Sequence, residues 1–280
     1  MNMASTVAIN ASYYQQFNAD LALDVPAEGY AGWKQDTLDI GLNSTAVVVM
    51  HAWGHQGAGV DGDKRFPGWY RAVEYIPRSI AIMNEVFPPL LAAVRKSPVK
   101  LYHVVGGGDY YKQCPGYKRA VELAPEEIKA PYLPADDARQ KLNAFRGQNV
   151  FVGPDNVADV QAGFKTLDFG PNAFPQDDEA VCEDANQLAA VCAADGVNHL
   201  IYAGFAINWC LLMSPGGMLD MSRRGAMCSA IRQAVTAVEN KASARTESNK
   251  EEALWRVALS FGFVFEADEL AAALTSQDNA

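Results

Sequence analysis

The apolar positions of this chain fall into short unbroken runs, separated by longer stretches with helical spacing. Ala46-Val47-Val48-Val49-Met50 is the clearest run. It is β-branched, has no polar break, and predicts a strand buried on both faces. Residues 99–105, closed by Gly106-Gly107-Gly108, predict a second strand, and residues 199–203, ending in Leu200-Ile201-Tyr202-Ala203, a third. Shorter strands are expected at 149–152, 180–183 and 226–230. Between them, residues 78–96 carry Ile80, Met83, Val86, Phe87, Leu90, Leu91 and Val94 near a 3.6-residue period. That spacing predicts a helix, kinked or broken at Pro88-Pro89. Helices are also predicted over 135–145, 156–162, 185–194 and 211–224, the last interrupted by Pro215-Gly216-Gly217. A final helix is expected over 246–261, with Thr246 as its N-cap. Strands alternating with helices specify a parallel sheet covered on both faces.

Some stretches depart from this alternation. Residues 1–43 are mixed and turn-rich, and read as an N-terminal arm packed on a main domain spanning 44–280. Residues 51–68 hold five glycines and form a loop at the carboxyl end of the first strand, where ligand-binding groups concentrate. Residues 114–134, rich in proline and charge, read as an insertion, and residues 164–178 as a loop.

Composition narrows the function classes. With 280 residues and 49% apolar content, the chain can bury a full core. A formal charge of −10 argues against nucleic acid as a partner, since phosphate-backbone binding needs a basic surface. No run of eighteen apolar residues occurs, and the start has no basic region followed by an apolar core, so neither a membrane span nor export is expected. A cytoplasmic location follows as the expectation. The five cysteines are irregularly spaced with no CxxC pair, which suggests neither a disulfide framework nor a structural zinc site.

The candidate chemistry centres on Gly204-Phe205-Ala206-Ile207-Asn208-Trp209-Cys210. Cys210 stands where the third strand turns into a helix. Backbone N–H groups and the positive end of a helix dipole would face its sulfur there and favour the thiolate. Cys210 is therefore the candidate nucleophile. Cys114, Cys182, Cys192 and Cys228 lack that placement and read as structural.

This stretch also carries a resemblance. The order Gly196-Val197-Asn198-His199-Leu200-Ile201-Tyr202-Ala203-Gly204, then Cys210, Arg223-Arg224-Gly225 and Ala234-Val235-Thr236-Ala237 resembles the isochorismatase-like cysteine hydrolases. Residues 45–50 resemble that family's first strand. The resemblance implies a three-layer α/β/α sandwich around a mostly parallel six-stranded sheet. It further implies hydrolysis of small amides or vinyl ethers, and assembly as a homo-oligomer, a dimer or tetramer. Three catalytic positions come with it: an aspartate ending the first strand, a lysine after a middle strand, and the cysteine. Cys210 matches the third, while His51 occupies the first. The lysine position falls near Glu183 or Asp184, with Lys165 an alternative if the loop folds back. The family's cis peptide before the cysteine maps to Ala206-Ile207, with the N–H groups of Ile207 and Cys210 as oxyanion donors.

The reading that follows is a cysteine hydrolase of a small amide or related acyl substrate, with no cofactor. His51 would take the thiol proton, Glu183 or Asp184 would orient its ring, and Trp53 and Trp209 would line the substrate site. The alternative is a catalytically degenerate relative that binds a small molecule or serves in assembly, because two of the three expected groups are replaced. A metal site built from His51, His55, Asp61, Asp63 and His103 is a third reading. Gly54, Gly57 and Gly59 oppose the helix that His-x3-His spacing would need, so no metal is assigned.

Overall fold

The computed structural model describes residues 5–59, 62, 64–124 and 132–276. Its first two strands, β1 (Thr6–Gln15) and β2 (Gly32–Gly41), pair antiparallel along their whole length, from Thr6 opposite Gly41 to Gln15 opposite Gly32. The turn-rich reading of these residues is corrected here. Val7, Ile9 and Ala11 alternate inward, a period-2 signal hidden by small and polar neighbours. β2 carries Lys34, Asp36 and Asp39 and is exposed over most of its length, so it gives no buried face to read.

The fully buried run then forms β3 (Thr45–Met50). It is followed by β4 (Trp53–His55), α1 (Pro67–Ala72), α2 (Ile76–Glu85) and α3 (Phe87–Arg95). The predicted break in the 78–96 helix falls at Val86, with the two prolines in the first turn of α3, where a missing N–H costs nothing. Next come β5 (Lys100–Val104), α4 (Pro115–Leu123), α5 (Asp137–Asn149), α6 (Val157–Phe164), β6 (Leu167–Phe169) and β7 (Ala180–Cys182). The strand expected at 149–152 is instead the end of α5 and a turn with a cis Phe151–Val152 peptide. The chain closes with α7 (Ala185–Asp195), β8 (His199–Phe205), α8 (Met218–Arg223), β9 (Met227–Thr236), α9 (Ser248–Ser260), β10 (Val264–Phe265) and α10 (Ala267–Thr275).

The main sheet runs β2-β1-β10-β9-β8-β3-β5-β7. From β10 to β7 all six strands are parallel, and β1 and β2 extend them antiparallel. Alternate residues of β3 enter opposite cores. Val47 and Val49 meet Phe87, Leu90 and Leu270 of α3 and α10. Ala46, Val48 and Met50 meet Leu188, Leu254 and Val257 of α7 and α9. The result is a three-layer α/β/α sandwich, as the alternating pattern predicts. β4 and β6 pair as a separate small ribbon that ties the loop after β3 to residues 167–169. Among the described residues, no helix is long and apolar enough to cross a membrane.

Candidate functional site

The parallel strands β3 and β8 end side by side, with Met50 opposite Gly204. A Cβ at Gly204 would lie 1.9 Å from the Met50 carbonyl oxygen, and its φ is +120°. Only glycine lets the two strand ends close. Beyond it, the Phe205–Ala206 peptide is cis, one residue earlier than the Ala206-Ile207 expectation. Residues Ile207–Leu211 form a π-helical turn containing Cys210, and α8 begins only at Met218. Cys210 therefore does not cap an α-helix, because Pro215-Gly216-Gly217 delays the helix that the sequence suggested. The turn is fixed from outside: Asn208 Nδ2 donates to the Val238 carbonyl at 2.9 Å, and Asn208 Oδ1 accepts from the Val238 N–H at 2.9 Å. Ala206 and Ile207 are buried and Cys210 is half-buried. Trp209 is 36% exposed and sets its ring edge-on to Phe151 at 5.1 Å.

His51 follows β3 directly. Its N–H donates to the Val104 carbonyl at 2.9 Å, continuing the ladder, and its φ is +50°. The ring stacks on Trp53 at 4.6 Å and 15°. Trp53 in turn meets Trp69 and Phe164 edge-on. Burial pushes the His51 imidazole down to about 4, so it is neutral at physiological pH. Its Nδ1 is buried with no hydrogen-bond partner.

The acids expected to orient His51 are committed elsewhere. Glu183 accepts from the Tyr111 hydroxyl at 2.5 Å and the Tyr117 hydroxyl at 2.8 Å. Asp184 caps α7 by accepting from the Gln187 N–H at 2.8 Å. Lys165 ends α6 with an exposed side chain. Of the metal reading, His55 Nδ1 sits 3.1 Å from the Thr166 hydroxyl, and His103 Nε2 sits 2.9 Å from Glu179. Asp61 and Asp63 lie outside the described residues, and among those described no group of three His, Cys, Asp or Glu could hold a metal.

A cavity opens beside His51. Its wall includes His51, Trp53, Trp69, Tyr75, Ile80 and Phe205. Cys210, Ala206, Ile207 and Trp209 are not part of it. Tyr75 lines it between α1 and α2. Its ring is 6.3 Å from Phe205, and burial is the main cause that pushes its hydroxyl above the usual range. Sequence reasoning missed Tyr75, which sits between α1 and α2 with no motif around it. Trp53, Gly54, Gly59 and Gly62 of the loop after β3 lie on the wall of this cavity.

The fold is similar to that of solved cysteine hydrolase and isochorismatase-family structures. A cysteine hydrolase from Pseudomonas syringae pv. phaseolicola 1448A superposes with a TM-score of 0.50 at 16% identity, over 85% of this chain and 95% of that one. An isochorismatase family protein from Burkholderia thailandensis gives 0.46 at 15%, over 83% and 96%. An isochorismatase-like hydrolase from Alkaliphilus metalliredigens gives 0.46 at 15%, over 83% and 99%. At these identities the likeness is one of fold. No protein-family model and no curated protein sequence matches the chain.

Proposed function

We propose that this protein binds a small molecule in the cavity beside His51, on a hydrolase fold whose usual catalytic set has been replaced. One observation carries the reading: the cavity wall contains His51, Trp53, Trp69 and Tyr75 but not Cys210. Two others support it. Glu183 and Asp184 are engaged by Tyr111, Tyr117 and α7. An imidazole held near 4 is also a weak base for a thiol proton.

Cysteine hydrolysis of a small amide or acyl substrate is the second reading, favoured by a half-buried Cys210 in the turn that follows the end of β8. In it, His51 takes the thiol proton and the sulfur adds to the acyl carbonyl. Amide N–H groups of Ile207 and Cys210 hold the oxyanion, the His51 imidazolium gives its proton to the departing amine, and water then attacks the thioester to release the acid and restore the thiol. Iodoacetamide at pH 7 separates the two readings. Binding without catalysis predicts that Cys210 alkylates no faster than a free thiol. Rapid alkylation that falls tenfold or more in His51→Phe would instead favour the hydrolase reading.

Homo-oligomeric assembly, as a dimer or tetramer, is also proposed. Every residue of α5 is exposed, including Leu142 and Phe145 about one turn apart. A helix of that length is marginal alone in water. Arg139, Lys141 and Arg146 give it a positive balance on a chain of net charge −10, which suits the acidic surface of a second copy. Sedimentation velocity should find an oligomer that Leu142→Glu with Phe145→Glu converts to a folded monomer. A cytoplasmic setting is supported by the five unpaired cysteines.

A further inference from the structure

We infer that the outer edge of β2 pairs with the same edge of a second copy, antiparallel about a two-fold axis at Gln35. The inference adds a second, separate contact to the assembly proposed through α5.

β2 is the outermost strand of the main sheet, and among the described residues no strand pairs with its far edge. One bond fixes which of its main-chain groups face outward. Leu42 N–H donates to the Ser5 carbonyl at 2.9 Å, in the register that sets Thr6 opposite Gly41. Antiparallel ladders alternate, so the even-numbered residues of β2 bond to β1 and the odd-numbered ones turn their N–H and C=O groups away from it. Trp33, Gln35, Thr37 and Asp39 therefore present a row of donors and acceptors, and all four are exposed. Such a row is a template for another strand. Asp36 Oδ1 caps part of it by accepting from the Thr37 N–H at 2.8 Å.

Charge selects the occupant. Lys34 and Asp36 are two residues apart, so they share one face of the strand, and both are exposed. Lys34 has no ion-pair partner among the described residues. With Gln35 opposite Gln35, Lys34 of each copy stands across from Asp36 of the other, in the closer, non-hydrogen-bonded positions. Asp36 then exchanges the Thr37 N–H for the partner copy's lysine, and the freed N–H donates to the carbonyl of Trp33 in that copy. Setting Asp36 opposite Asp36 would oppose like charges, and setting Thr37 opposite Thr37 would oppose no charges at all. The end of the hairpin also lacks a cover. Its loop is shaped by main-chain bonds, such as Asp20 N–H to the Pro26 carbonyl and Glu28 N–H to the Val25 carbonyl, both at 3.0 Å. Yet Phe17, Leu21, Leu23 and Val25 are 56%, 86%, 41% and 54% exposed. In the Gln35 register this loop runs beside the end of the second copy's β2, where those side chains gain a surface to lie against.

Pairing over residues 32–38 is weak by itself. A dimer joined through α5 carries two such edges, and two dimers that meet through both at once form a closed tetramer held by the raised effective concentration. Sedimentation velocity should therefore show a tetramer. Lys34→Asp and Asp36→Lys each oppose like charges and should raise the tetramer-to-dimer Kd about tenfold or more, while the double swap should restore it to within about threefold. Mild oxidation of Gln35→Cys should give a disulfide-linked dimer above the background of the unmodified protein, since facing Cα atoms there are ~5.5 Å apart. Thr37→Cys, ~13 Å from its copy in this register, should not. Cross-linking through Thr37→Cys in place of Gln35→Cys would overturn the register. Reversals without effect, or a loss the swap does not rescue, would overturn the β2 pairing and leave the α5 contact standing. An oligomer that survives Leu142→Glu with Phe145→Glu, falls with Lys34→Asp and returns with the swap would overturn the α5 contact and keep the β2 pairing. A monomeric unmodified protein would overturn both. Rescue by the swap also separates lost pairing from misfolding.

Discussion

His51 leaves β3 with a φ of +50°, and its ring lies flat on Trp53 rather than within a hydrogen-bonded chain. At the neighbouring strand end, Gly204 gives way to a cis peptide and then to the turn that carries Cys210. Both positions were legible in the sequence, because each follows an unbroken apolar run whose end marks where a parallel strand stops. The surroundings were not. Glu183 takes its hydrogen bonds from Tyr111 and Tyr117, residues far away in the chain that no local spacing connects to it. At this scale Gly204→Ala is the sharpest test. Its Cβ would meet the Met50 carbonyl at 1.9 Å on a backbone with φ +120°. The expected loss is at least about 3 kcal/mol of unfolding free energy, read from the urea midpoint.

Elements show how a correct pattern can still misplace a boundary. The final long helix was expected to start with Thr246 as N-cap, yet α9 begins at Ser248 and the Thr246 hydroxyl donates to the Ser243 carbonyl. The start of the helix is held by Glu239, which is 6% exposed and accepts from the N–H groups of Asn249 at 3.2 Å and Lys250 at 3.1 Å. A carboxylate from outside the helix satisfies two orphan donors and meets the positive end of its dipole. Glu239→Ala should therefore cost about 1–2 kcal/mol, whereas Thr246→Ala, which removes no cap, should stay within about 0.5 kcal/mol. Chemical denaturation of the two variants side by side checks this.

For the whole molecule, buried titratable groups set the response to acid. Burial holds His51 and His199 near 4 against 6.5 in an unfolded chain. The unfolded state then binds more protons between those values, so stability is full above about 6.5 and falls as pH drops to about 4. Each histidine contributes a loss of about 3 kcal/mol over that window. Glu179 follows at lower pH. Burial acts to raise it, but hydrogen bonds from His103 and Arg95 outweigh that and hold it at about 2 against 4.5. Its stabilisation is present above about 4.5 and is lost as pH falls through about 2. Unfolding free energy measured from pH 8 to 3 should decline in both windows. In His199→Gln the decline between 6.5 and 4 should shrink by about 3 kcal/mol.

Local pattern by itself determined the sandwich. Unbroken β-branched runs can be buried only in the middle of a sheet covered on both faces, and the helical spacing between them supplies the cover. It also located the strand ends, because glycines and loops there answer to local backbone geometry. The hairpin of β1 and β2 was decided by tertiary structure, since its charged outer strand gains its place only by pairing. So was the content of the site. The carboxyl end of β3 supplies His51, but the ring's neutrality, its stack on Trp53 and its unpartnered nitrogen come from burial by α1, α2 and the loop around Trp53. Burial and pairing between distant residues are properties of the packed chain, and no window of sequence contains them.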